Sequence, residues 1–126
     1  MKRLITSILL GLTLSLSTLA SADGHATLRV VAVQTDDAAA YIKQLKEGKQ
    51  MIQKVAPKMT MRAWRATFAG DATGTVIVGL EHPGSLADFA TAWDKIQADK
   101  SVAKWLAGLS GLRRILSDSI DNEISI

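Results

Sequence analysis

The 126-residue sequence contains no cysteine and has only two prolines, two histidines and a small share of aromatic residues. Without cysteine there is neither a disulfide framework nor a thiolate to act as nucleophile or metal ligand. Clustered metal ligands, paired carboxylates and a glycine-rich phosphate loop are absent from the sequence as well. We therefore predict no cofactor and no metal site of the common kinds.

The amino-terminal residues have the pattern of a cleavable signal peptide. Lys2 and Arg3 precede an uncharged stretch, rich in leucine and isoleucine, that ends in Ala20-Ser21-Ala22. Small residues at the first and third of these positions are what signal peptidase accepts. Serines and threonines dilute the apolar run, which argues against an anchor, since a spanning helix needs about 20 mostly apolar residues. We predict a signal peptide over 1–22, a periplasmic or secreted protein, and no membrane association after cleavage.

The net charge of the chain is close to zero once the signal peptide is removed. The chain has 15 basic and 12 acidic residues, and two of the basic ones, Lys2 and Arg3, lie in the signal peptide. Lys43, Lys46 and Lys49 are in helical spacing, which is typical of a solvated helix face. No dense basic stripe remains, so we predict no nucleic-acid partner.

The rest of the chain has the usual length of one domain. We predict a flexible tail over 23–27 and a single domain over 28–126. β-branched runs predict strands, and apolar residues three and four apart predict amphipathic helices. The predicted strands cover 28–35, 58–68, 75–82 and 112–121; the helices cover 37–55 and 85–99, followed by a short helical segment ending at Gly108 or Gly111.

Polar residues mark the ends of these elements. Asp36 or Asp37 is predicted to cap the first helix, because an aspartate oxygen accepts from the free N–H groups of a first helical turn. Ser85, with Asp88 three residues on, resembles a capping box at the second helix. Gly70 and Gly74 are suited to the tight reversal that joins the second and third strands into a hairpin.

The order β-α-β-β-α-β predicts a ferredoxin-like α+β fold, a four-stranded antiparallel sheet with two main helices on one face. Alternate residues of a strand point to opposite faces of the sheet. Both alternations of the first and third strands are apolar, so the sequence does not tell which face meets the helices. Because the helices cover one face only, we predict a homodimer that packs sheet against sheet.

The element order, residues 62–68, the hairpin through 74–78 and Ser117-Asp118-Ser119 together carry a family resemblance. In these features the chain resembles the dimeric α/β-barrel superfamily, and in particular small exported proteins of the NIPSNAP group. It implies the barrel fold, a dimer, and a pocket between sheet and helices or inside the barrel. The superfamily includes haem-degrading monooxygenases that place a histidine on a helix, and neither predicted amphipathic helix here contains one.

The candidate ligand-binding residues are Arg62, Trp64, Glu81, His82 and Asp118. Arg62 and Trp64 share a face of the second strand, where an arginine beside an indole suits the carboxylate of a small aromatic or lipid-like ligand. The alternative is that Arg62 pairs with Glu81 or Asp118 for structural reasons. His82 is either a general acid or base or a polar residue at a strand end.

Signal-peptide cleavage would also place His25 third from the new amino terminus, after Asp23 and Gly24. A terminal amine, two amides and an imidazole form a square-planar nitrogen set for copper(II) or nickel(II). The alternative is a single histidine that occurs in the tail by chance, and the sequence does not distinguish the two.

Three functions follow from these patterns. The first is an exported homodimer that binds a small apolar or acidic ligand. The second is a cofactor-independent monooxygenase or isomerase, as the resemblance implies. The third is a structural or interaction protein without a pocket.

Overall fold

The computed structural model describes residues 25–67 and 70–126. Within them a single antiparallel sheet packs against three helices. The predicted signal peptide over 1–22 lies outside the described residues. The strands are β1 (Thr27–Gln34), β2 (Thr60–Arg65), β3 (Val76–His82) and β4 (Arg114–Asn122); the helices are α1 (Ala38–Val55), α2 (Leu86–Ala98) and α3 (Lys100–Leu109).

The sheet has the strand order β2-β3-β1-β4, and every neighbouring pair is antiparallel. The two central strands are β1 and β3, and β2 and β4 form the edges. One irregularity interrupts the β1–β4 ladder, because Ala32 pairs with Ser117 but Val33 pairs with Ile115, which leaves Leu116 as a bulge. The predicted ferredoxin-like fold is confirmed.

Side-chain caps fix where the helices begin. Asp37 accepts from the N–H of Ala40 at the start of α1. Ser85 and Asp88 form a complete capping box at the start of α2. Asp99 ends α2 and caps α3 by accepting from the N–H of Val102, so the third helical segment is a separate helix.

The structure decides which face of the sheet is covered. Val31 and Val33 of β1 are buried with Val76, Val78 and Leu80 of β3, in one cluster with the helices. We call this side the helix face. The opposite side, the open face, carries Leu28, Val30 and Ala32 of β1, Ile77 and Gly79 of β3, Arg62 and Trp64 of β2, and Ser117 and Ser119 of β4.

Several boundaries differ from the predictions by a few residues. β1 begins at Thr27, and the carbonyl of Ala26 already accepts from the N–H of Glu123, while the N–H of Ala26 donates to the Glu123 side chain, so the sheet starts inside the predicted tail. Gly108 lies within α3 and does not end it. Gly70 and Gly74 both have positive φ, 57° and 90°, as the predicted turn requires.

The predicted helical stripes are buried in part. Tyr41, Leu45 and Ile52 of α1, Phe89 and Ile96 of α2, and Val102, Trp105 and Leu109 of α3 are buried. Ile42 and Leu86 are not buried; their exposed fractions are 37% and 49%.

Candidate functional site

A cavity of about 70 Å³ lies between the helix face of the sheet and the helices. Its floor comes from all four strands, and its roof from all three α-helices. Eleven of its thirteen lining residues are apolar or aromatic, and the two others are arginines. The lining residues are Arg29, Val31, Leu45, Ile52, Met61, Val78, Leu80, Trp93, Trp105, Leu106, Leu109, Arg113 and Ile115.

Arg29 is held on this face by two partners. Its Nε and Nη2 donate to the two carboxylate oxygens of Asp118 at 3.0 and 2.6 Å. Its guanidinium carbon lies 4.8 Å from the ring centroid of Trp93, within the range of a cation–π contact. The paired hydrogen bonds from Arg29 hold the pKa of the Asp118 carboxyl below its usual range. The pair is therefore fully ionised at neutral pH.

Arg113 reaches the cavity from the turn between α3 and β4. Leu112 in this turn accepts from the hydroxyl of Thr35 at 2.7 Å, which ties the turn to the end of β1. Arg113 Nη1 donates to the hydroxyl of the fully buried Tyr41 at 3.3 Å. Arg113 also lines an outer groove formed by residues 34–37 and 111–114. It therefore stands between the cavity and the outside.

Three of the predicted site residues meet on the open face. Arg62 Nη2 donates to Glu81 Oε2 at 3.3 Å, and the Arg62 guanidinium lies 5.4 Å from the Trp64 ring centroid. The indole covers Gly79, where a Cβ atom would lie 3.0 Å from Cζ3 of Trp64. Of the two pairings considered for Arg62, the structure shows the one with Glu81.

His82 and Asp118 lie on the other side of the sheet. His82 is buried at the end of β3, and its Nδ1 accepts from the N–H of Gly84 at 2.9 Å. The neutral imidazole therefore carries its proton on Nε2. His82 lines a groove between the end of α1 and the start of α2, away from Arg62 and Trp64. The structure thus divides the five candidate residues among three places.

The sequence reasoning missed Arg29, Arg113 and Trp93 as site residues. A signal for Arg29 was present, since it shares a face with Val31 and Val33 in a strand that has no other charged residue. No local pattern marks Arg113, which lies in a turn, or Trp93, whose spacing in α2 equally fits a buried helical stripe.

Among residues 25–67 and 70–126, no group of three or more histidines and carboxylates is placed to hold a metal ion. In the same part of the chain, no helix has the length and hydropathy needed to cross a bilayer.

Neither a protein-family model nor a curated protein sequence matches this chain. Several solved structures are similar in fold. A NIPSNAP family protein from Agrobacterium tumefaciens has a TM-score of 0.63 at 17% identity, over 81% of this chain and 85% of that one. SnoaB from Streptomyces nogalater, a cofactor-independent oxygenase, has a TM-score of 0.55 at 10% identity, over 80% and 93%.

A dimeric protein of unknown function with a ferredoxin-like fold, from Bacteroides fragilis, has a TM-score of 0.51 at 9% identity, over 79% and 95%. The predicted resemblance to the NIPSNAP group and the dimeric α/β-barrel proteins is confirmed at the level of the fold. One fold carries many unrelated functions, so these similarities do not transfer an activity.

Proposed function

We propose that the mature chain is an exported homodimer that binds a small, mainly apolar ligand in the cavity between its sheet and its helices. The observation that carries the proposal is the cavity itself. Its apolar lining is interrupted only by Arg29 and Arg113. An apolar cavity with a few convergent polar groups is the usual form of a small-molecule site.

The open face supports the dimer. Its centre is apolar, with Val30, Ala32 and Ile77 side by side across β1 and β3 and Trp64 beside them at 48% exposure. An apolar patch of this kind on a sheet is unusual for a monomer in water. A twofold partner would cover it with an identical face. The similarity to a ferredoxin-like protein described as dimeric agrees with this arrangement.

Export rests on the sequence. The basic start, the uncharged leucine-rich stretch and the Ala20-Ser21-Ala22 site form a signal peptide pattern in the order that export requires. The absence of cysteine is compatible with an oxidising compartment, because no thiol is present to be oxidised there.

An enzymatic function is the second candidate, and the fold shared with SnoaB is the observation in its favour. A general base must accept a proton near the working pH. Arginine does not, and both charged residues of the cavity lining are arginines. Asp118, the carboxylate beside the cavity, is held ionised by Arg29 and is therefore a weak base. Binding is thus better supported than catalysis.

Native mass spectrometry of the mature protein tests the proposal. We expect the mass of two chains that begin at Asp23, together with a retained small molecule. The matched control is Leu106→Phe, which fills the cavity from the half-buried edge of α3 and should give the same dimer without the ligand. A strictly monomeric protein at high concentration would overturn the dimer, and equal ligand content in both variants would overturn the cavity as the site.

A further inference from the structure

The charges around the cavity do not cancel. Arg29 and Arg113 both line it, and Asp118 is the carboxylate that pairs with one of them. Two positive charges and one negative charge therefore leave a single net positive charge beside an apolar space. A site of this kind favours a ligand with one negative charge, because the attraction is strengthened where water is excluded.

Arg29 is not the group that would meet such a ligand. Its Nε and Nη2 are both bonded to Asp118 in a bidentate pair, and its flat side stacks on Trp93. A bidentate arginine–carboxylate pair satisfies the fork of donors that would otherwise hold a second carboxylate.

Most of the N–H donors of Arg113 are free to bind a ligand. It makes one hydrogen bond of 3.3 Å, to the Tyr41 hydroxyl, out of the five N–H groups that a guanidinium carries. In the described part of the chain, no carboxylate lies within ion-pair distance of it; the two ion pairs there belong to Arg29 and Arg62. Its position between the cavity and the outer groove places it where a ligand would enter.

The size of the cavity limits the ligand. An apolar cavity of about 150 Å³ accommodates benzene, and the present cavity is about half as large. An aromatic ring is therefore too big, whereas an alkyl chain of a few carbons fits.

We infer that the cavity binds a short aliphatic carboxylic acid, with the alkyl chain among the apolar residues and the carboxylate on Arg113. This inference rests on the proposed ligand-binding function and names its ligand class. Asp118 acts as a positioning residue, since it pairs directly with Arg29 and acts on Arg113 only through a weaker charge interaction. Of the two arginines that line the cavity, Arg113 is therefore the one left to meet the ligand.

Calorimetric titration of the mature protein with butyrate and with butyramide tests the inference. The two probes have the same alkyl chain, and only butyrate is charged. We expect butyrate to bind about ten-fold to a hundred-fold more tightly, which is the usual value of a hydrogen bond to a charged group. Arg113→Gln should remove this preference, and Arg113→Lys should retain part of it if the glutamine variant folds poorly.

Asp118→Asn should strengthen butyrate binding, whereas Arg113→Gln should weaken it. It frees Arg29 beside the cavity, so butyrate should bind about ten-fold more tightly than to the natural protein while butyramide is unaffected. The matched control is Lys104→Gln, an exposed residue of α3 that lines neither the cavity nor the outer groove. This control should not change either affinity.

The outcomes separate the two levels of the proposal. If neither probe binds at any concentration tested, the ligand-binding function fails. If both bind equally well, the function stands and the carboxylate inference is overturned. If Asp118→Asn weakens butyrate binding, the assignment of separate roles to Arg29 and Arg113 is wrong.

Discussion

The indole of Trp105 occupies the space that a side chain at position 48 would need. A Cβ atom placed on Gly48 would lie 2.0 Å from Cζ2 of Trp105, far inside van der Waals contact. The same indole donates from Nε1 to the carbonyl of Gln44 at 2.9 Å, one turn earlier in α1. This contact fixes how closely α3 approaches α1 above the sheet.

Gly48→Ala is expected to destabilise the protein, although alanine is normally better than glycine inside a helix. The added methyl overlaps a buried ring, and overpacking of this kind costs about 1–3 kcal/mol. Gly108→Ala in α3 is the control, because a Cβ atom there meets nothing within 4 Å. It should raise the free energy of unfolding by up to about 1 kcal/mol. Urea unfolding of both variants measures the change in the free energy of unfolding. A stabilised Gly48→Ala would refute the close packing.

Ile77→Arg should convert the proposed dimer to a monomer. Ile77 lies at the centre of the open face, paired with Ala32 on one side and Trp64 on the other. A charge there has no partner in a face-to-face interface and would be costly to bury. Leu86→Arg, at an exposed position at the start of α2, is the matched control and should leave the mass unchanged. Light scattering on a sizing column measures the molar mass of both variants. A dimer that persists in Ile77→Arg would place the interface elsewhere.

The ion pair of Arg29 and Asp118 makes the stability depend on pH in the acid range. Folding lowers the pKa of Asp118, so the pair stabilises the protein above the ordinary aspartate pKa of about 4. The contribution is lost as the pH falls through the lowered pKa in the folded state. At pH 7 the free energy of unfolding of the natural protein should be higher than that of Asp118→Asn by about 1 kcal/mol or less, since the ion pair is partly exposed.

The difference in the free energy of unfolding between the two proteins should shrink as the pH falls below the ordinary aspartate pKa of about 4, as measured by urea midpoints across the acid range. Asp94→Asn, on the exposed side of α2, serves as the control for removing one carboxylate. A difference that grows on acidification would show that Asp118 does not gain its stabilising effect from ionisation.

Asp99→Ala should destabilise the helical region by about 1 kcal/mol. Asp99 caps α3 through its bond to Val102 and ends α2 at the same residue, so its loss affects both helices. Asp99→Asn keeps an acceptor at the cap and should cost much less. Thermal unfolding followed by circular dichroism distinguishes the two, and equal losses would mean that charge, and not the cap, is what matters.

Ala22→Arg should block processing of the proposed signal peptide, because the position before the cut requires a small residue. The precursor should then accumulate with its full mass, while the natural chain yields a protein that begins at Asp23. Ala26→Ser, beyond the cleavage site, is the control. Intact-mass measurement of the Ala22→Arg and Ala26→Ser proteins shows whether each has been cleaved. Normal processing of Ala22→Arg would disprove the assigned cleavage site.

The sequence by itself determined the elements and their order. β-branched runs, helical spacing, the caps at Asp37 and Ser85 and the two glycines of the hairpin turn are local signals, and each acts over a few residues. The ferredoxin-like topology follows from that order. The two-residue alternation of side chains along a strand places Arg62 and Trp64 on one face.

Only the tertiary structure decided which face of the sheet meets the helices and where the cavity lies. Both alternations of β1 are apolar, so hydrophobic periodicity gives the same answer for either face. The contact between Arg29 and Asp118 joins residues 89 positions apart, and it depends on the register of β1 against β4. The bulge at Leu116 then turns Ile115 to the helix face and into the cavity lining. No local signal specifies such a register, because it is set by how the whole sheet packs against its helices.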